Sequence, residues 1–261
     1  MIDIIKSKMA FAKYAKNYDI NNDKIRLKIE HMERVSNTSK ELAIKLHLND
    51  EDIQLAELIG LLHDIGRFEQ LKKFNTFIDR TSINHGELGA KILFDNSNGI
   101  IREFISDNEY DEIIKNSILN HNKSASNIPK NLDSNELLHT KIIRDSDKID
   151  ILNLLTFEKK ESAWEKSDLS NDTISDEIYY EFMQSGKINY QNIKSSADIL
   201  VANFAYIFDF NFPVSIKYVK EKKYLDKIYN RFVFNQKNTM DKYINIYAKT
   251  INYVKNVSVN R

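Results

Sequence analysis

An all-α fold is predicted by three observations. Two prolines and six glycines punctuate 261 residues, too few for the many turns of a β-sandwich. Apolar residues recur at three- and four-residue steps through most of the chain. No segment alternates strand and helix patterns as a parallel sheet requires. The hydrophobic share is 42% and the charged share 29%, an ordinary globular composition. The length allows one large domain or two small ones.

The elements follow in order. Residues 2–16 predict an amphipathic helix, with lysines interrupting each apolar run. After the polar break NYDINND, residues 24–47 predict a long one. Ile25, Ile29, Met32, Val35, Ser39, Leu42, Ala43 and Leu46 line its inner face. Asn49 or Asp50 caps the next helix, which runs inward through Ile53, Ala56, Ile59 and Leu62. It ends near HDIG, where Gly66 suits a helix C-terminus. Residues 70–84 read as a loop or a short helix. His85-Gly86 opens ELGAKILF, and 109–121 forms a further helix. Pro129 marks a loop before the helix 134–155, where Ile142, Asp145, Ile149 and Leu152 share a face. The stretch 158–176 is polar and reads as a surface loop or short helix. Beyond it the chain turns aromatic and helical, with stripes that predict core packing rather than base stacking.

Composition excludes several chemistries. The chain has no cysteine, which removes disulfides, zinc ribbons, iron–sulfur clusters and thiol nucleophiles. Its 38 basic and 38 acidic residues cancel, so no global charge points to obligate nucleic acid or an anionic membrane. No signal-like apolar region opens it and no apolar run approaches the roughly 18 residues of a span. A cytoplasmic location away from membranes is expected.

The histidines carry the functional signal. His31 lies mid-way along the second helix; His63-Asp64 ends the third; His85 begins the next; His121 ends the one after. Asp145 lies in the later helix on the side of Ile142 and Ile149. The order H…HD…H…H…D, each part on a different element, is the composition of a two-metal site in a helical bundle. Imidazole with carboxylate suits Fe, Mn, Co, Ni or Zn. Two divalent ions need a bridging carboxylate, and Asp64 is the natural bridge. His47, beside a lysine at a helix end, reads as surface. His139 falls on another helix face and is not expected to be a ligand.

These motifs closely resemble those of the HD superfamily of metal-dependent phosphohydrolases. LLHDIGR is similar to its LLHDIGK-type segment, NHGELGAKIL to its H-x-x-x-G-A helix, and RDSDKIDIL to its D-A-D-K-L-D run. His31, His63-Asp64 and Asp145 meet the minimal H…HD…D signature. His85 and His121 match the two histidines of a binuclear subset, which includes the HD-GYP phosphodiesterases and HD-type hydrolases of diadenosine tetraphosphate. Arg67 stands where many relatives have lysine, and Asn122 where HD-GYP proteins have a second adjacent histidine. The GYP element is absent, which weighs against cyclic-di-GMP.

The resemblance covers residues 24–155. It implies an HD-domain helical bundle within 1–155 and a C-terminal helical extension at 156–261. It also implies hydrolysis of a nucleotide or another small phosphoester. Asp64, Arg67 and Lys148 would be catalytic; Arg67, Arg80, Asn122 and Lys148 would meet substrate. A homo-oligomer is compatible with it. Two rival functions share the ligands: a mixed-valence diiron oxygenase, and a non-catalytic binding module whose aromatic C-terminal helices dock a partner.

Overall fold

The computed structural model describes residues 2–157 and 168–259. Among these there is no strand, so the fold is all-α as expected. The chain divides into two compact units, Met1–Asp147 and Lys148–Arg261. Part of the polar stretch at 158–176, residues 158–167, lies outside the described residues.

The first unit holds α1 (Ile4–Ala15), α2 (Asp23–Lys45), α3 (Asp50–Leu62), α4 (Gly66–Phe74), α5 (His85–Phe94), α6 (Ile101–Phe104) and α7 (Asp111–Asn120). It also holds most of α8 (Ser134–Phe157). Asparagine starts three of these helices. The Asn22 side chain accepts from Lys24 N, Asn49 from Asp52 N, and Asn84 from Gly86 N and Glu87 N. The core joins Phe11, Met32, Val35, Leu58, Leu61, Leu62, Ile65, Phe68, Ile118 and Ile143. From Leu55 to Leu62 every residue of α3 is buried, which makes it the central helix of this unit.

Gly66 does not sit at a helix C-terminus. It is the first residue of α4, and its φ is negative. A Cβ there would lie 2.3 Å from the His85 carbonyl oxygen, so its absence lets α4 and α5 touch. A Cβ on Gly86 would lie 2.9 Å from the Ile118 oxygen, so α5 also approaches α7 closely. Glu57, buried on α3, takes Lys8 at 2.6 Å and Lys40 at 2.8 Å.

The second unit comprises the end of α8, α9 (Asp176–Ser185), α10 (Ser196–Ala205), α11 (Pro213–Glu221), α12 (Tyr224–Arg231) and α13 (Lys237–Val259). Its aromatics pack on one another. Tyr243, fully buried, meets Phe204 and Phe234 edge-on, while Tyr229 stacks on Tyr247 at 4.0 Å. No helix among the described residues is long and apolar enough to cross a membrane.

Candidate metal centre

Each histidine reaches the site for a local reason. His63 is the C-cap of α3 and His121 the C-cap of α7. A helix leaves its last carbonyls without intrahelical donors. His63 Nδ1 donates to Gly60 O at 2.8 Å and His121 Nδ1 to Ile118 O at 2.7 Å, each three residues back. The bond satisfies the carbonyl, fixes the proton on Nδ1 and turns the Nε2 lone pair inward. Two helix C-termini, the negative ends of their dipoles, thus stand at the site. His85 opens α5, and its Nδ1 lies 2.6 Å from Asp79 Oδ2. His31 projects from mid-α2.

The donors gather around Asp64, and its two oxygens face different partners. Oδ1 lies 3.2 Å from His85 Nε2 and 3.7 Å from His121 Nε2. Oδ2 lies 3.6 Å from His31 Nε2 and 3.8 Å from His63 Nε2. Asp147 Oδ1 closes the second group, 3.2 Å from His31 Nε2 and 3.8 Å from His63 Nε2. All but Asp147 are buried. Three overlapping triads can each hold a cation: His31, His63 and Asp64; His63, His121 and Asp147; Asp64, His85 and His121.

A metal fits this arrangement. His63 Nε2 is buried and finds no hydrogen-bond partner among the described residues. His85 Nε2 and His121 Nε2 are 3.0 Å apart, yet both rings carry their proton on Nδ1, so two lone pairs face each other. A shared cation would relieve that repulsion.

Protonation favours the same conclusion. Burial pushes His63 down to about 3, against the pull of Asp64 and Asp147. Burial and the Arg67 charge push His85 down to about 4. Burial would raise the Asp64 carboxyl, but Lys28, His63 and Arg67 hold it well below the usual range. Asp147 is likewise lowered, chiefly by the His31 hydrogen bond working against burial. At neutral pH His63 and His85 are uncharged and Asp64 and Asp147 ionised, as ligands must be.

The sequence pointed to Asp145 as the last ligand, but the carboxylate that meets His31 and His63 belongs to Asp147. Asp145 is fully buried two residues away and in none of the triads. The helix turns about 100° per residue, so the two carboxylates face different ways. Ile143 joins the core cluster that holds Met32, Leu62 and Ile118, and Asp147 follows it by one turn.

Two further residues escaped the sequence reading. Lys28 Nζ lies 2.8 Å from Asp64 Oδ2; its place three residues before His31 on α2 was the available signal. Asp79 sits on a 3-10 turn, Asp79–Thr81, where no periodicity marks it. Arg67 Nη1 donates to Gln70 Oε1, Phe77 O and Asp79 Oδ1, while its Nε is 3.4 Å from Asp64 Oδ1. Asn122 Nδ2 donates to Asn84 Oδ1 and Asp79 Oδ2. Arg80 is exposed on the turn. Lys148 pairs with the Asp209 carboxylate. His139 bonds Asp52 instead of joining the cluster, and His47 is exposed.

No curated protein and no solved structure matches the chain. A family model does: the HD domain, over residues 29–152. That span begins two residues before His31 and ends after Asp147, enclosing the whole cluster. By this match and by the histidine–aspartate cluster it encloses, residues 29–152 are identified as an HD domain.

Proposed function

We propose that this HD-domain protein is a phosphohydrolase that holds two divalent transition-metal ions and acts on a nucleotide or other small phosphoester. The split of Asp64 carries the reading. One oxygen faces His85 and His121, the other faces His31 and His63 with Asp147 beyond. A carboxylate with one oxygen in each of two donor groups is placed as a bridge between two ions would be.

His31, His63, Asp147 and Asp64 Oδ2 would hold one ion; His85, His121 and Asp64 Oδ1 the other. Such a pair, when bound, polarises phosphoryl oxygens and makes a water between the ions acidic near neutral pH. The chain supplies the rest. Lys28 and Arg67 bring one cation to each oxygen of Asp64, and both lie against the Phe77 ring, at 5.4 and 5.8 Å. Arg67 Nη1 is held by three acceptors, so its charge would meet a phosphate oxygen with little side-chain freedom left to lose. The part that the family resemblance suggests for Lys148 would require its Asp209 pair to open.

The test is metal analysis of the purified protein, then a nucleotide and phosphoester panel run with and without oxygen. Two equivalents of metal and oxygen-independent hydrolysis are expected. Turnover that consumes O₂ would instead assign the cluster to oxygenase chemistry.

A further inference from the structure

His85 differs from His63 and His121 in how its ring is held. Those two sit at helix C-termini, where an unpaired carbonyl lies three residues back. His85 sits at a helix N-terminus, where the backbone offers only N–H donors. An acceptor for its Nδ1 must come from elsewhere in the chain, and the structure supplies one in Asp79.

Asp79 is built into this place. Its Oδ1 accepts from Arg67 Nη1 and Gln70 Nε2, each at 2.9 Å. Its Oδ2 accepts from His85 Nδ1 at 2.6 Å and Asn122 Nδ2 at 3.3 Å. Gln70, fully buried on α4, also donates to Ser82 Oγ and Ile83 O, which fastens the loop to the helix. Four donors from three parts of the unit therefore fix one carboxylate, and that carboxylate fixes His85.

We infer that Asp79 is the positioning residue of the metal position formed by Asp64 Oδ1, His85 and His121, and that the 75–84 loop thereby governs occupancy of that position alone. This rests on the two-ion reading. The other position depends on α2, α8 and the end of α3, and Asp79 does not touch its donors His31, His63 and Asp147. The two positions are consequently unequal. An outer-sphere carboxylate on a ligating histidine holds the tautomer and strengthens the ligand, and its loss typically weakens metal binding about 10–100-fold.

Two measurements on the full chain test this, one needing no metal. Long-range ¹H–¹⁵N NMR of the metal-free protein reads each imidazole tautomer. In Asp79→Ala the His85 proton should shift from Nδ1 toward Nε2, while His63 and His121 keep theirs. In Mn²⁺ titration the same variant should keep one tight equivalent and bind the other about 10–100-fold more weakly. Asp79→Glu should recover part of that loss, and Asp79→Ala added to His85→Ala should cost nothing further. Asp79→Asn, which keeps the volume, repeats both measurements if Asp79→Ala does not fold. Loss of both equivalents together, loss of neither, or an unchanged His85 tautomer would overturn the assignment. If the unaltered protein takes up fewer than two equivalents, the two-ion reading fails instead, and the tautomer still decides the role of Asp79.

Discussion

Gly66→Ala is the smallest change expected to disable the centre without touching a ligand. The new methyl would sit 2.3 Å from the His85 carbonyl oxygen and 2.7 Å from the Gly89 nitrogen, both backbone atoms. Ordinary contact begins near 3.4 Å, so α4 and α5 must part by about 1 Å. Asp64 is two residues before the substitution, and His85 carries the clashing carbonyl. The 3.2 Å separation of Asp64 Oδ1 from His85 Nε2 therefore takes much of the displacement. Working sites tolerate about 0.5 Å, and a 1 Å error costs on the order of 100-fold in rate. Overpacking adds about 1–3 kcal/mol of instability. Metal titration and hydrolysis of bis-p-nitrophenyl phosphate check the first figure, and urea unfolding the second. An alanine variant with unaltered metal affinity and turnover would refute the close-approach argument.

Three other outcomes are expected. Asp147→Asn should weaken metal binding at least about 10-fold with little change in the metal-free protein's stability. Asp145→Asn should do the reverse, and metal titration beside urea unfolding separates them. Burial holds His63 and His85 at about 3 and about 4, whereas the unfolded chain takes up those protons near pH 6.5. Stability of the metal-free protein is thus full above pH 6.5 and falls as pH drops toward 4; a flat urea midpoint across that window contradicts it. Glu57 is lowered because Lys40 and Lys8 outweigh its burial, so its stabilisation is present above the ordinary carboxylate value and lost in stronger acid. Glu57→Gln should cost about 1–2 kcal/mol at pH 7, since both lysines are half exposed and can resolvate, and the gap should close in acid.

The helices were legible because burial repeats with the helical period. Asn49 was legible as a cap because its side chain competes for backbone donors. The gathering of His31, His63, Asp64, His85 and His121 in one cluster was legible because each falls at a helix end or on an inner face. Asp147 was not. The stretch around it is buried on nearly every side, so alternating burial could not rank its three aspartates. Gly66 reads in the sequence as a helix stop because a glycine signals either positive φ or close contact, and sequence alone does not separate the two. Asp79 lay in a loop, where position is set by partners distant in sequence.

One consequence concerns the chain's topology. The clustered donors are drawn from residues 31, 63–64, 85, 121 and 147, and the protein has no cysteine with which to staple itself. A cation held among them is a reversible cross-link. It closes loops as a disulfide does and constrains the unfolded chain only while bound. Such a link contributes about 2.7 kcal/mol when free metal stands at 100 times its Kd, and it dissolves in chelator. The melting temperature of this protein should therefore follow the metal concentration of its buffer.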